Sequence, residues 1–287
     1  MDIRNLKDRA ARRVMFLLCV GVLSLALFMA FRLYDKARPV LEAQPLLSIL
    51  FSSNWHPTKG EFGLAPFILG TFWVVAIAMA IAIPIGSLTA IYLAEYAHVR
   101  VRESIRPLVD LLAGISPVIY GVWGVVAIVP HTGFSALSGG IVLAVMVFPV
   151  LVSVVQEVLQ TVPREIREAS LALGATHWET VKHVVLRKSK PGLIAAIILA
   201  VSRASGETMA VLMVAGCALH SFPKSVFDPV YPLPALIANT YGEMMSIPLY
   251  DSAILLAAFI LFLATTFFNM IGWGILLRLE REGAAHG

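Results

Sequence analysis

Six apolar stretches dominate this 287-residue chain: Val14 to Phe31, Leu64 to Leu93, Leu108 to Val129, Gly140 to Leu159, Pro191 to Leu219 and Ser252 to Leu277. Each is close to the roughly 20 residues that span a hydrocarbon core. Lipid offers no hydrogen bonds, so a crossing backbone must satisfy its own amides and carbonyls. Long apolar runs without period-2 alternation do so as helices. With 59% apolar and only 14% charged residues, the chain has too little polar surface to coat a soluble globule. The fold class is therefore all-α, a polytopic membrane helix bundle with six transmembrane helices.

The 22 Lys and Arg residues orient that bundle. When the N-terminus and every second connection share one side, that side receives 16 of them, from Arg4, Arg12 and Arg13 through Arg100 to Arg106 and Arg164 to Lys190, ending at Arg278 and Arg281. Arg32, Lys36, Arg38, Lys59 and Lys224 lie opposite, and Arg203 falls inside the fifth stretch. The positive-inside rule puts both termini in the cytoplasm, so the net charge of +4 reports topology and not a nucleic-acid partner. Met1 to Ala30 share the layout of a signal peptide, but the apolar run is long and lacks a convincing cleavage site, which reads as a retained first helix. Cys19 and Cys217 sit in apolar runs and His131 stands alone in a short turn, so neither a disulfide framework nor a metal site is expected. Tyr and Trp in the two long outer segments, Arg32 to Gly63 and His220 to Tyr250, read as interfacial anchors. No linker or fixed-period repeat divides the chain. Residues 1–287 read as a single membrane domain, with a first span and outer segment over 1–63 and a core over 64–277.

The cytoplasmic connection 160–190 is patterned like structure. Pro163 suits a first helical turn, Ile166, Ala169, Ser170 and Leu173 follow at helical spacing, and Gly174 supplies a left-handed stop. Thr176 and Glu179 then form a capping box for a second helix whose apolar face holds Trp178, Val181, Val184 and Val185. A solvated linker needs no such stripe, so its apolar side rests either on the chain's own bundle or in a groove of another protein.

Arg203 lies about 18 Å along a helix from Pro191, near mid-membrane. An unpaired arginine there costs on the order of 3 kcal/mol. Glu207, four residues on, would share its helical face and can neutralise it. Two readings stand, a self-contained structural ion pair and a charged pair lining a solute pathway. Asp110, Glu157 and Asp251 are scattered at span ends, which speaks against a membrane-embedded enzyme. The chain also lacks GxxxxGK[ST], and with it a phosphate cradle for ATP.

Glu168-Ala169-Ser170, with Gly174 following and Val184-Val185-Leu186 beyond, resembles the EAA loop of bacterial ABC importer permeases, although Arg187 replaces the usual proline. That departure leaves the end of the second helix to Pro191, a nearby stop and restart. The segment Arg203-Ala204-Ser205-Gly206-Glu207-Thr208-Met209-Ala210-Val211 resembles the fifth span of PstC-type permeases of phosphate-specific transport. Similarity continues through Gly70 to Glu95 and Ile115 to Gly124, where Gly114, Gly121 and Gly124 suggest close helix contacts and Pro84, Pro117 and Pro149 suggest kinks. Ser202 and Ser205 stand where Gly and Leu are common in the family.

The resemblance implies a type I ABC importer permease in the bacterial plasma (inner) membrane, carrying inorganic phosphate or another oxyanion such as sulfate or molybdate. It implies that Glu168, Ala169, Ser170 and Gly174 couple to an ATPase subunit, and that Arg203 and Glu207 line the pathway. It further implies no cofactor on this chain, with ATP used by the partner. The implied partners are a PstA-like second permease, PstB-like cytoplasmic ATPase subunits and a PstS-like external phosphate-binding protein.

Overall fold

The structure is a computed structural model that describes residues 3–218, 222–243, 247 and 249–284. Helix α1 (Ile3–Ala43) runs well beyond the expected end at Phe31, so Arg32, Lys36 and Arg38 ride on the helix and not on a loop. Ion pairs at helical spacing support this extension, Arg32 with Asp35 at 3.5 Å and Arg38 with Glu42 at 3.4 Å. Helix α2 (Leu46–Phe51) and a short hairpin, β1 (Trp55–His56) against β2 (Glu61–Phe62), complete the first outer segment.

The core follows as α3 (Ala65–Ile91) with a π-helical end over Tyr92–Tyr96, α4 (Val99–Gly114), α5 (Pro117–Ala127), the short α6 (Val129–Thr132) and α7 (Ala136–Gln160). The connection 160–190 holds α8 (Arg164–Ala172) and α9 (His177–Glu179), and α9 leads through a π-helical stretch, Thr180–Val185, into α10 (Leu186–Ser205). The chain ends with α11 (Met209–Val214), α12 (Leu233–Thr240) and α13 (Tyr250–Ala284).

Among the described residues, α1, α3, α7 and α13 are each long and apolar enough to cross a membrane uninterrupted. The other two apolar stretches are broken. The third is a helix pair, α4 and α5, bent by 93°. Pro117 opens α5, and a residue before proline is driven out of helical geometry, as the extended Ser116 (φ −62, ψ 137) shows. The fifth is interrupted between α10 and α11. Pro84 and Pro149, by contrast, lie inside α3 and α7 without ending either helix.

Close packing rests on glycine. In lipid, helix association depends on backbones approaching closely, because burial from one apolar medium into another gains little. On α7, a Cβ at Gly140 would lie 2.4 Å from Cγ2 of Ile77 on α3. Gly121 and Gly124 play the same part on α5, against Met213 and Val214 of α11. Gly114 faces open space, so the close contact expected there does not form.

The outer end has its own core. Trp55 meets Phe62, Phe67 and Tyr250 edge-on at centroid distances of 5.8, 5.1 and 6.1 Å, and Phe67 meets Tyr231 at 5.4 Å. Tyr231 and Tyr250 are buried, so these rings are packing groups and not the interfacial anchors the sequence suggested. The second outer segment also folds inward. The Val230 amide donates to the Ala215 carbonyl at 2.9 Å, and the Leu233 amide to Oγ1 of Thr71 at 2.8 Å. Leu219, His220 and Pro248 of that segment lie outside the described residues. At the other extreme, α1 is almost wholly exposed between Arg9 and Met29, and it meets α13 further along, where Tyr34 lies 5.8 Å from Phe259.

Replacing Gly140 with Val should overpack the α3–α7 contact and cost about 1–3 kcal/mol. A lower thermal midpoint in detergent is expected for that variant, and an unchanged one for Gly114→Ala.

Candidate translocation site and coupling loop

Arg203 lies in the last turn of α10, which stops at Ser205. Gly206 caps it, with its amide 3.3 Å from the Arg203 carbonyl, and the Glu207 amide donates to the Ala204 carbonyl at 3.2 Å. Glu207 thus belongs to a turn and not to the helical face it was expected to share with Arg203. No ion pair joins the two. Among the described residues, the ion pairs are Arg32–Asp35, Arg38–Glu42 and Arg167–Glu95.

The residues flanking Arg203 hold the helix in place. Ser202 and Ser205 are buried, the Ser202 hydroxyl donating to the Thr265 carbonyl of α13 at 3.3 Å and the Ser205 hydroxyl to Val201 at 2.8 Å. Arg203 itself is exposed, and Glu207 is half-buried. The nearby groove beside Ser205 is lined by Thr71, Phe72, Met79, Leu233 and Phe268, and offers an anion no charge.

The turn and the cap expected in the connection 160–190 both form. Helix α8 ends where Gly174 adopts φ +87, a conformation costly for any side chain with a Cβ. The capping box is complete, the Glu179 amide donating to Oγ1 of Thr176 at 3.3 Å and the Thr176 amide to Oε2 of Glu179 at 2.8 Å. Those bonds, first from the Thr176 amide and then from its hydroxyl, hold the Glu179 carboxyl below its ordinary pKa. The expected stop near Pro191 is absent, because the helix runs from α9 through α10 with Pro191 inside it.

The loop's apolar residues are partly buried on the chain's own bundle. Val181 and Val185 are fully buried on the bundle, and the hydroxyls of Ser170 and Thr180 meet at 3.0 Å. On α8 the stripe is covered only in part: Ile166 and Ser170 are half-buried, whereas Ala169 is exposed and Leu173 is 90% exposed, as are the neighbouring Glu168 and Gly174. Sequence reasoning missed Arg167 and Glu95, which pair at 2.8 Å across the foot of the bundle. Nothing in the sequence marked residues so far apart as partners.

Residues 82–272 match the family described as "Binding-protein-dependent transport system inner membrane component". The chain belongs to this family. Within it, the chain is 34% identical over 310 residues to the phosphate transport system permease protein PstC of Xylella fastidiosa, covering 97% of this chain and 94% of that one. It is 31% identical to a probable PstC of Methanocaldococcus jannaschii, covering 95% and 92%. These relatives make it a member of the PstC-type branch. Among solved structures, a chain of the inward-facing MetNI methionine ABC transporter superposes with a TM-score of 0.58 at 18% identity, covering 75% of this chain and 96% of that one. A chain of a bacterial alginate ABC transporter does so with 0.59 at 11%, covering 93% and 94%. The fold shared with both is that of type I ABC importer permeases.

Thr176→Ala should cost about 1 kcal/mol of helix-end stability and speed amide exchange at His177 to Thr180 about fivefold. Because the Glu179 pKa is depressed in the folded loop, the cap's contribution is present above the ordinary glutamate pKa and lost as pH falls through the lowered value. Carboxyl-carbon NMR should place the wild-type titration below that of Thr176→Ala.

Proposed function

We propose that this chain is the permease subunit of an ATP-driven importer of inorganic phosphate, supplying half of the translocation pathway. One observation supports the reading: Arg203 is exposed and, among the described residues, in no ion pair, at the point where its span breaks. Irregular backbone at membrane depth survives only where protein or a water-filled cavity takes up the freed polar groups. Charged side chains there likewise face interiors or cavities. The chain leaves both uncovered, so a second, homologous permease and a passing anion are the fitting neighbours. Phosphate is negatively charged at neutral pH and needs a compensating cation along its route. Arg203 offers five N–H donors for that purpose, with Glu207 nearby in sequence to receive the guanidinium between passages.

The exposed face of α8 supplies the connection to energy. Glu168, Ala169, Ser170, Leu173 and Gly174 form a small-residue and apolar surface suited to a groove on a cytoplasmic ATPase subunit, which binds and hydrolyses the ATP this chain cannot hold. The charge asymmetry supports cytoplasmic termini, and an external phosphate-binding protein delivers solute to the opposite face. ATP-driven closure of the ATPase pair then rocks the spans and changes the side to which Arg203 is open.

Arg203→Leu should reduce uptake of labelled phosphate to background at equal membrane abundance, and Glu207→Gln should lower it. Normal uptake in both variants would end the pathway assignment, and competition by sulfate or molybdate would reassign the solute. Leu173→Asp should abolish copurification of the ATPase subunit while leaving the permease in the membrane.

A further inference from the structure

Arg167 spends four of its five N–H donors on contacts at the foot of the bundle. Its Nη2 and Nε reach Oε1 and Oε2 of Glu95 at 2.8 and 3.3 Å, a two-pronged pairing. Nη2 also donates to the Leu159 carbonyl at 2.9 Å, and Nη1 to the Val162 carbonyl. One guanidinium on α8 therefore caps the end of α7 and grips the end of α3. The Glu95 side chain is only 6% exposed, which shields the pair from water and salt.

The end of α3 is held from other directions as well. Arg102 of α4 donates from Nε to the Leu93 carbonyl at 2.9 Å and from Nη2 to the Ala94 carbonyl at 2.8 Å. Nε2 of His177 lies 3.1 Å from the Glu95 carbonyl oxygen, and its ring stands edge-on to Tyr96 at 4.8 Å. The carbonyls that the π-helical turn would leave free are thus taken up by α4 and by the coupling loop.

We propose that Arg167 and Glu95 are positioning residues forming a transmission joint, which locks α8 to the α3–α7 pair so that displacement of α8 reaches the spans undiminished. This rests on the coupling role of α8 proposed above. Without the joint, α8 is tied to the spans by the adjoining backbone, the Ser170–Thr180 contact and little else, since no residue of α8 is buried. A pushed helix would then tilt on its own.

The test uses the membrane-reconstituted complex with its ATPase, comparing wild type with Arg167→Lys, which keeps the charge but loses the fork, and Glu95→Gln, which keeps the shape but loses the charge. With Cys19 and Cys217 replaced by Ser, spin labels at Glu165 and Leu88 report the distance between α8 and α3. Wild type should give one narrow distance with and without trapped ATP, and both variants a broadened one. The variants should also keep ATPase copurification and ATP hydrolysis while labelled phosphate moved per ATP falls about three- to tenfold, the range over which changes along a coupling route act. Unchanged distances, or loss of ATPase binding in these variants, would overturn the joint. Failure of wild type to move phosphate would overturn the proposed solute, and the label distances would still decide the joint.

Discussion

Hydrocarbon gives a backbone no hydrogen-bonding partner but itself, and the architecture follows from where this chain obeys that constraint and where it does not. Helices α3 and α7 obey it and pack through Gly140 into an unbroken pair. The α4–α5 bend at Ser116 and the gap between α10 and α11 depart from it. The second halves of the two broken spans pack together, since Gly121 and Gly124 of α5 receive Met213 and Val214 of α11. Each broken span thereby covers part of the other.

Two arginines illustrate opposite uses of the same group. Arg167 has four of its donors spent on a carboxylate and two carbonyls, and it fixes geometry. Arg203 forms no ion pair among the described residues and sits beside a helix end whose flanking serines are already engaged. A saturated guanidinium is a fastener, whereas an unsaturated one is available to a ligand. Position along a helix does not distinguish them; the surrounding acceptors do.

Local chemistry was the most legible part of the sequence. Thr176 and Glu179, and the left-handed Gly174, act over a few residues, so their pattern survives in the fold unchanged. Hydropathy located all six apolar regions, but hydropathy averages over a window and cannot register a single proline redirecting Ser116. The Arg203–Glu207 pairing failed for a related reason: helical spacing carries a side chain to its partner only while the helix continues, and Gly206 ends it. Trp55, Tyr231 and Tyr250 were misplaced because their burial depends on outer segments folding back onto α3. The fork between Arg167 and Glu95 was invisible, being a purely tertiary contact.

The near isolation of α1 bears on how the protein is made. Its half from Arg9 to Met29 is exposed, and further along it contacts α13, which is synthesised long after it. It can therefore enter the bilayer first and remain stable with only lipid for company, because a single apolar helix needs no neighbour there. The two helices can meet only after everything between them has been made. A ribosome that stalls before α13 would leave a core with its first helix drifting beside it.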